Sequence, residues 1–227
     1  MTINLYYNLY QTKAMLIVFD WDGTIAKKEV ANEASIRRFR ELGSDVSKEW
    51  LAEAQKTHAH YDMNKQLIEK KFGITDEREK TIKMTSLFHK YYAEVVSEWK
   101  EKIFYEGMLD TLKEIKKEHK LAIATTLIQP LIDDSLKILK CSNLFDCVVG
   151  NTHALDHSKT TLIRMVADKV GKPSYMIGDR YDDLVAGKEN GAETILVLWG
   201  NNTEEAKDSA DYVISSPKEL LSILKIR

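Results

Sequence analysis

The sequence predicts an α/β fold, a Rossmann-like doubly wound parallel sheet core with an inserted α-helical cap domain, in a chain of 227 residues. Three observations predict it. The run 16–20, "LIVFD", is apolar until it ends in charge, as in a central parallel strand covered on both faces. From about residue 104 to the end, short apolar runs alternate with amphipathic stretches, the pattern of repeated right-handed crossovers. Between them, residues 27–103 contain no proline and only two glycines, Gly43 and Gly73, each placed where a helix could stop.

Taken in order, the first strand is 16–20. The segment 27–103 reads as a bundle of about four helices, because Ala34, Ile36, Phe39 and Leu42, and again Leu87, Tyr91, Val95 and Trp99, lie close to helical spacing. After "YEGM" a helix over 108–119 precedes a strand at 121–125, and a helix at 131–140 precedes the strand "CVVG". A helix over 159–170 leads to "SYMIGD", a helix over 182–190 leads to "TILVL", and a short helix, "YVI" and a last helix over 217–225 complete the chain. The predicted division is therefore 1–26 plus 104–227 as the sheet core, with 27–103 as the helical insertion.

Composition narrows the function classes. A formal net charge of −2 provides no general attraction for a nucleic acid polymer or an anionic membrane. No apolar run approaches the roughly 18 residues that span a bilayer. The opening "MTINLYYNLYQTKA" lacks the pattern of a secretory signal and reads as a peripheral extension, with Met15 as an alternative start. Cys141 and Cys147 cannot build a multi-bridge framework and read as partly buried structural residues of a cytosolic (cytoplasmic) protein.

In extended chain, residues i and i+2 point the same way, so Asp20 and Asp22 project together at the carboxyl end of the first strand. Ligands of such sheets bind beyond those ends. Two other strand ends carry suitable polar groups, Thr125 with Thr126, and "GDRYDD", residues 178–183. Acidic side chains converging without a basic partner repel one another, and a hard divalent cation such as Mg²⁺ removes the conflict. Asp20, Asp179 and Asp183 suit that role, and helix capping competes for Asp182 and Asp183.

These stretches resemble the motifs of the haloacid dehalogenase superfamily, in its phosphatase branch with a C1-type helical cap. "DWDGT" is similar to the first motif and "LAIATT" to the second. Lys159, opening "KTTLIRMVADKVG", resembles the third-motif lysine, and "MIGDRYDDLVAGKENGAETILVLWG" resembles the fourth motif and its continuation. The resemblance implies a phosphoglycolate phosphatase-like, Mg²⁺-dependent hydrolase of a small phosphomonoester, working through an aspartyl-phosphate. It implies Asp20 as nucleophile and Asp22 as general acid and base. It also implies Lys159 and Mg²⁺ as neutralising charges, with Thr125, Thr126, Lys159, Gly23 and Thr24 around the phosphate. Asp20, Asp179, Asp183 and the backbone carbonyl of Asp22 would hold the metal. Two positions depart from the pattern, Thr126 where Asn is common and Thr160 where Pro is common.

Two readings compete with hydrolysis. A phosphomutase would return the phosphoryl group to a sugar hydroxyl, and a non-catalytic module would only bind phosphate; Asp22 argues against the latter. The pairs His58/His60 and His153/His157 have no adjacent carboxylate or cysteine pattern, so they read as surface or capping residues. Trp50, Tyr61, Tyr91, Tyr92 and Trp99 read mainly as packing of the insertion, with one or two reaching a substrate pocket. Arg37, Arg38, Lys65 and Arg78 read as solvated faces.

Overall fold

The computed structural model describes residues 14–152 and 157–226, so the reading of the N-terminal extension and of His153 lies outside the described residues. Six parallel strands form one sheet: β1 (Leu16–Phe19), β2 (Lys120–Ile128), β3 (Cys147–Asn151), β4 (Tyr175–Gly178), β5 (Glu193–Val197) and β6 (Tyr212–Ile214). Their spatial order is β3-β2-β1-β4-β5-β6, which puts β1 between β2 and β4. Alternation along β1 divides the core. Ile17 and Phe19 face one layer, with Met108, Leu112 and Ile115 of α5 (Met108–Glu118) and Leu131, Ile132 and Leu136 of α6 (Gln129–Ile138). Leu16 and Val18 face the other, with Leu162, Ile163 and Val166 of α7 (Lys159–Val170) and Ala186 of α8 (Tyr181–Glu189).

Between β1 and the rest of the sheet the chain forms four helices: α1 (Glu29–Glu41), α2 (Lys48–Lys56), α3 (Ala59–Phe72) and α4 (Glu77–Trp99). Ser47 and Asp76 cap α2 and α4 with their side chains, and Gly73 ends α3 at φ 68°. α1 and α4 pack together, and the Arg37 guanidinium donates to both oxygens of Glu98 at 2.7 Å across that pair. The base of α4 contributes Tyr92, Val95 and Val96 to the same apolar cluster as Phe19, so the helical segment is seated on the sheet layer. Where the chain leaves and re-enters this segment, Lys27 N–H donates to Ile103 O at 2.7 Å and Ala26 bridges Phe104.

The boundaries differ from expectation at several places. β1 ends at Phe19, leaving Asp20 just beyond it. β2 runs to Ile128 rather than 125, with a register irregularity against β3 between Ala124 and Ile128. The last helix, α10, covers only Glu219–Ile223, and α9 is Glu204–Ser209. Arg38 is not on a solvated face: it is buried, whereas Arg37 keeps its ion pairs near the surface. One residue step rotates a helical side chain by roughly 100°, which separates the two arginines. Cys141 and Cys147 are buried free thiols. Among the described residues no helix is long and apolar enough to cross a membrane.

Candidate active site

The carboxyl ends of three adjacent strands bring the polar residues together. Asp20 follows β1, Thr125 lies in β2, Asp179 follows β4 and Asp183 lies in the first turn of α8. Oxygens of Asp20, Asp179 and Asp183 lie within 4.8 Å of one another, the one such His, Cys, Asp or Glu cluster among the described residues. Neither His58 nor His60 belongs to it; the His60 ring faces Ala54 O at 3.0 Å.

Lys159 is the first residue of α7, where a cation opposes the helix dipole. It serves the cluster instead: Nζ donates to Asp20 Oδ1 at 2.5 Å and to Ala124 O at 3.1 Å, and lies 3.0 Å from Asp183 Oδ1. Asp183 also caps α8, accepting from Arg180 N–H at 3.2 Å with its other oxygen, so capping and cluster membership coexist in one carboxylate. Asp182 is exposed.

One lysine does not balance three buried carboxylates. Burial pushes the Asp20 carboxyl up to about 8, with Lys159 opposing and Asp183 and Asp179 adding to the rise. Burial likewise lifts Asp179 to about 6. Burial works against the Lys159 ammonium, but Asp183 and Asp20 outweigh it and hold the group firmly charged. Asp179 Oδ2 accepts from Asn201 N–H at 2.6 Å, while its Oδ1 is buried without a partner. An orphaned carboxylate oxygen inside an all-oxygen cluster fits a hard divalent cation.

Asp22 lies outside this cluster. Its Oδ1 accepts from the Tyr92 hydroxyl at 2.7 Å, and Tyr92 in turn accepts from Trp21 Nε1 at 2.9 Å. Burial raises the Asp22 carboxyl to about 7, and the tyrosine bond works against that rise. Tyr92 comes from α4, so the helical segment supplies a group directly to the second aspartate. Its sequence signal was only its place in an aromatic helical stripe.

Thr125 is buried and its hydroxyl oxygen accepts from Leu127 N–H at 3.2 Å, leaving its proton available. Thr126 is exposed and stands in the wall of a cavity beneath the helical segment. Gly23 and Thr24 lie in the turn after β1. Their N–H groups donate within the turn, to Ala26 O at 2.7 Å and Trp21 O at 3.3 Å, and the Thr24 hydroxyl is sealed inside the protein. Both residues help to shape the turn. Gly23 has φ +86°, and a Cβ there would lie 2.2 Å from Asp179 Oδ2. Gly200 was not singled out in the sequence; a Cβ there would lie 2.3 Å from Asp179 Cβ. A larger cavity, about 730 Å³, is lined by Tyr105, Asp110 and Lys218 and includes none of the clustered carboxylates.

The sequence model of the family described as "Haloacid dehalogenase-like hydrolase" matches residues 17–197. Pyrophosphatase PpaX from Bacillus mycoides is 31% identical over 144 residues, covering 60% of this chain and 64% of PpaX, so the match spans less than two thirds of that relative. CbbY from Rhodobacter sphaeroides, solved in complex with phosphate, superposes with TM-score 0.69 at 20% identity over 91% of this chain and 96% of CbbY. The HAD-hydrolase YfnB from Bacillus subtilis, bound to magnesium, superposes with TM-score 0.65 at 15% identity over 95% of this chain and 100% of YfnB.

Proposed function

Because the chain belongs to the haloacid dehalogenase-like hydrolases, we propose that it hydrolyses a small phosphomonoester through Asp20, with residues 27–103 acting as a cap. One observation carries the reading. Two aspartates two residues apart occupy different environments, Asp20 inside the carboxylate–lysine cluster and Asp22 outside it, against a phenol. That separation fits one nucleophile and one proton carrier.

Asp20 attacks phosphorus, and the bond from phosphorus to the leaving oxygen breaks as Asp22 gives that oxygen its proton. A water then attacks the aspartyl-phosphate, Asp22 takes the water's proton, and the bond between Asp20 and phosphorus breaks to release inorganic phosphate. Lys159 offsets the charge of the approaching dianion, and the Thr125 hydroxyl donates to a phosphoryl oxygen. Asp20, Asp179, Asp183 and the Asp22 carbonyl would hold Mg²⁺, which supplies the remaining charge neutralisation. The oxygen-only donor set, the orphaned Asp179 oxygen and the magnesium bound by YfnB support this choice of ion. A small soluble substrate suits a site into which α4 reaches with Tyr92.

The test is phosphate release from a panel of small phosphomonoesters and inorganic pyrophosphate, with Mg²⁺ or chelator, alongside Asp20→Asn. Metal-dependent release that the substitution abolishes is expected. Phosphoryl transfer without free phosphate would identify a mutase instead, and binding without turnover a phosphate-binding module.

A further inference from the structure

Arg38 of α1 is only 5% exposed, yet among the described residues no carboxylate or carbonyl accepts from its guanidinium, and its Nε is sealed without a partner. Its neighbour Arg37 has two glutamates. Arg38 instead lies against apolar faces, its guanidinium carbon 5.6 Å from the Phe39 ring centre and 5.3 Å from that of Phe88. Burial brings its pKa down to about 10, which leaves it charged at neutral pH. A buried cation without an anion is costly, and two ring faces offset only part of that cost, so the position suits an anion from outside the fold.

The cavity supplies one. About 220 Å³ of space lies between α1, α3 and α4 on one side and the segment following Thr125 on the other. Arg38, His60, Tyr61 and Thr126 line it, and no Asp or Glu does. Thr126 directly follows Thr125, the residue assigned above to the phosphoryl group, so the cavity wall begins one residue along β2 from the reaction site. The guanidinium presents a planar fork of donors, which matches a carboxylate or a phosphate.

We propose that Arg38 is a specificity-determining residue that binds a second anionic group, carboxylate or phosphate, at the end of the substrate remote from the reacting phosphorus. This rests on the hydrolase reading above. The cavity's volume, about 220 Å³, suits a small group at that end of the substrate.

The experiment compares wild type with Arg38→Met and Arg38→Lys. Four probes are used: 2-phosphoglycolate and 3-phosphoglycerate (second carboxylate), 1,3-propanediol bisphosphate (second phosphate) and glycerol 3-phosphate (neutral tail). Arg38→Met is expected to lower kcat/KM about 10- to 100-fold for the preferred second-anion probe, mainly through KM, as loss of charge-assisted hydrogen bonds implies. Turnover of glycerol 3-phosphate should stay within about threefold, and Arg38→Lys should recover part of the loss, since one ammonium replaces only part of the fork. Whether the carboxylate or the bisphosphate probe suffers more identifies the anion.

Thermal unfolding with Mg²⁺ provides a readout independent of turnover. Phosphonoacetate should raise the Tm of wild type more than methylphosphonate does, and that difference should vanish in Arg38→Met. The unliganded variant should be at least as stable as wild type, because an unpaired buried charge has been removed. A wild type with no preference for a second anion in both assays overturns the proposal. So does a variant that loses stability and all activities in proportion, the signature of a structural cation. If no probe is hydrolysed, the hydrolase reading fails, and the phosphonate comparison still decides the role of Arg38.

Discussion

Among the described residues Asp22 forms no ion pair, and the proton-carrying role proposed for it depends on what holds it. The Tyr92 oxygen accepts from Trp21 Nε1, so the tyrosine proton is left to point at Asp22 Oδ1. A proton on Asp22 must then sit on Oδ2, the oxygen that Tyr92 does not occupy. Tyr92 is thus a positioning residue. Tyr92→Phe should slow hydrolysis of alkyl phosphates roughly tenfold, the scale of one buried hydrogen bond in a transition state. Release of p-nitrophenol from p-nitrophenyl phosphate should change little, because that leaving group departs without a proton. Equal losses on both substrates would reduce Tyr92 to packing. Losing the bond also removes an influence that lowers the Asp22 pKa, so the acid limb's protonated form should persist to higher pH in the variant.

The turn after β1 is where backbone geometry and site chemistry meet. Gly23 at φ +86° lets the chain pass Asp179 with no side chain between them, and Gly200 does the same from the other side. Gly23→Ala should therefore cost about 1–3 kcal/mol of stability and weaken Mg²⁺ binding by at least tenfold, by forcing Asp179 aside. Unfolding in chelator and a Mg²⁺ titration check the two effects, and an unchanged titration would show that the turn does not control Asp179. At this scale much was legible in the sequence. Buried parallel strands read as apolar runs, so the polar residues at their carboxyl ends stood out, and Asp20, Thr125, Asp179 and Lys159 were all singled out. What escaped notice depends on long-range packing. The extension of β2 past Thr125 depends on its pairing with β3. Tyr92 resembles any aromatic on a helical stripe until α4 is docked on β1. Arg38 looks like Arg37 because both are arginines on one helix, and only the crossing of α1 over α4 decides which of them is buried.

Over the whole molecule, the site is a store of unfavourable burial that a bound cation would relieve, and this couples stability to pH. In the metal-free protein Asp20, Asp22 and Asp179 are lifted by burial to about 8, about 7 and about 6, from ordinary values near 4. The folded state therefore holds protons that the unfolded chain has already released, and stability falls as pH rises. The contribution is fully present below about pH 4 and lost progressively between about pH 4 and pH 8 as each folded carboxyl ionises. Asp146 and Asp211 act in the opposite sense: their hydrogen bonds outweigh burial and lower their carboxyls, so they lose stabilising charge only in stronger acid. Metal-free protein should accordingly unfold at its highest temperature near pH 4 to 5 and several degrees lower at pH 8, given about 2–4 °C per kcal/mol in a chain of this size. Mg²⁺, the ion proposed for this cluster, would bind its ionised form, so its stabilisation should be small at pH 5 and large at pH 8, approaching about 2.7 kcal/mol at a hundredfold excess over its Kd. Asp179→Asn should raise metal-free stability at pH 8, by removing a buried charge, and abolish the Mg²⁺ shift. Unfolding scans across pH with Mg²⁺ or chelator measure all three effects. A magnesium shift of the same size at pH 5 and pH 8 would mean that the ion is not answering the charge of these carboxylates.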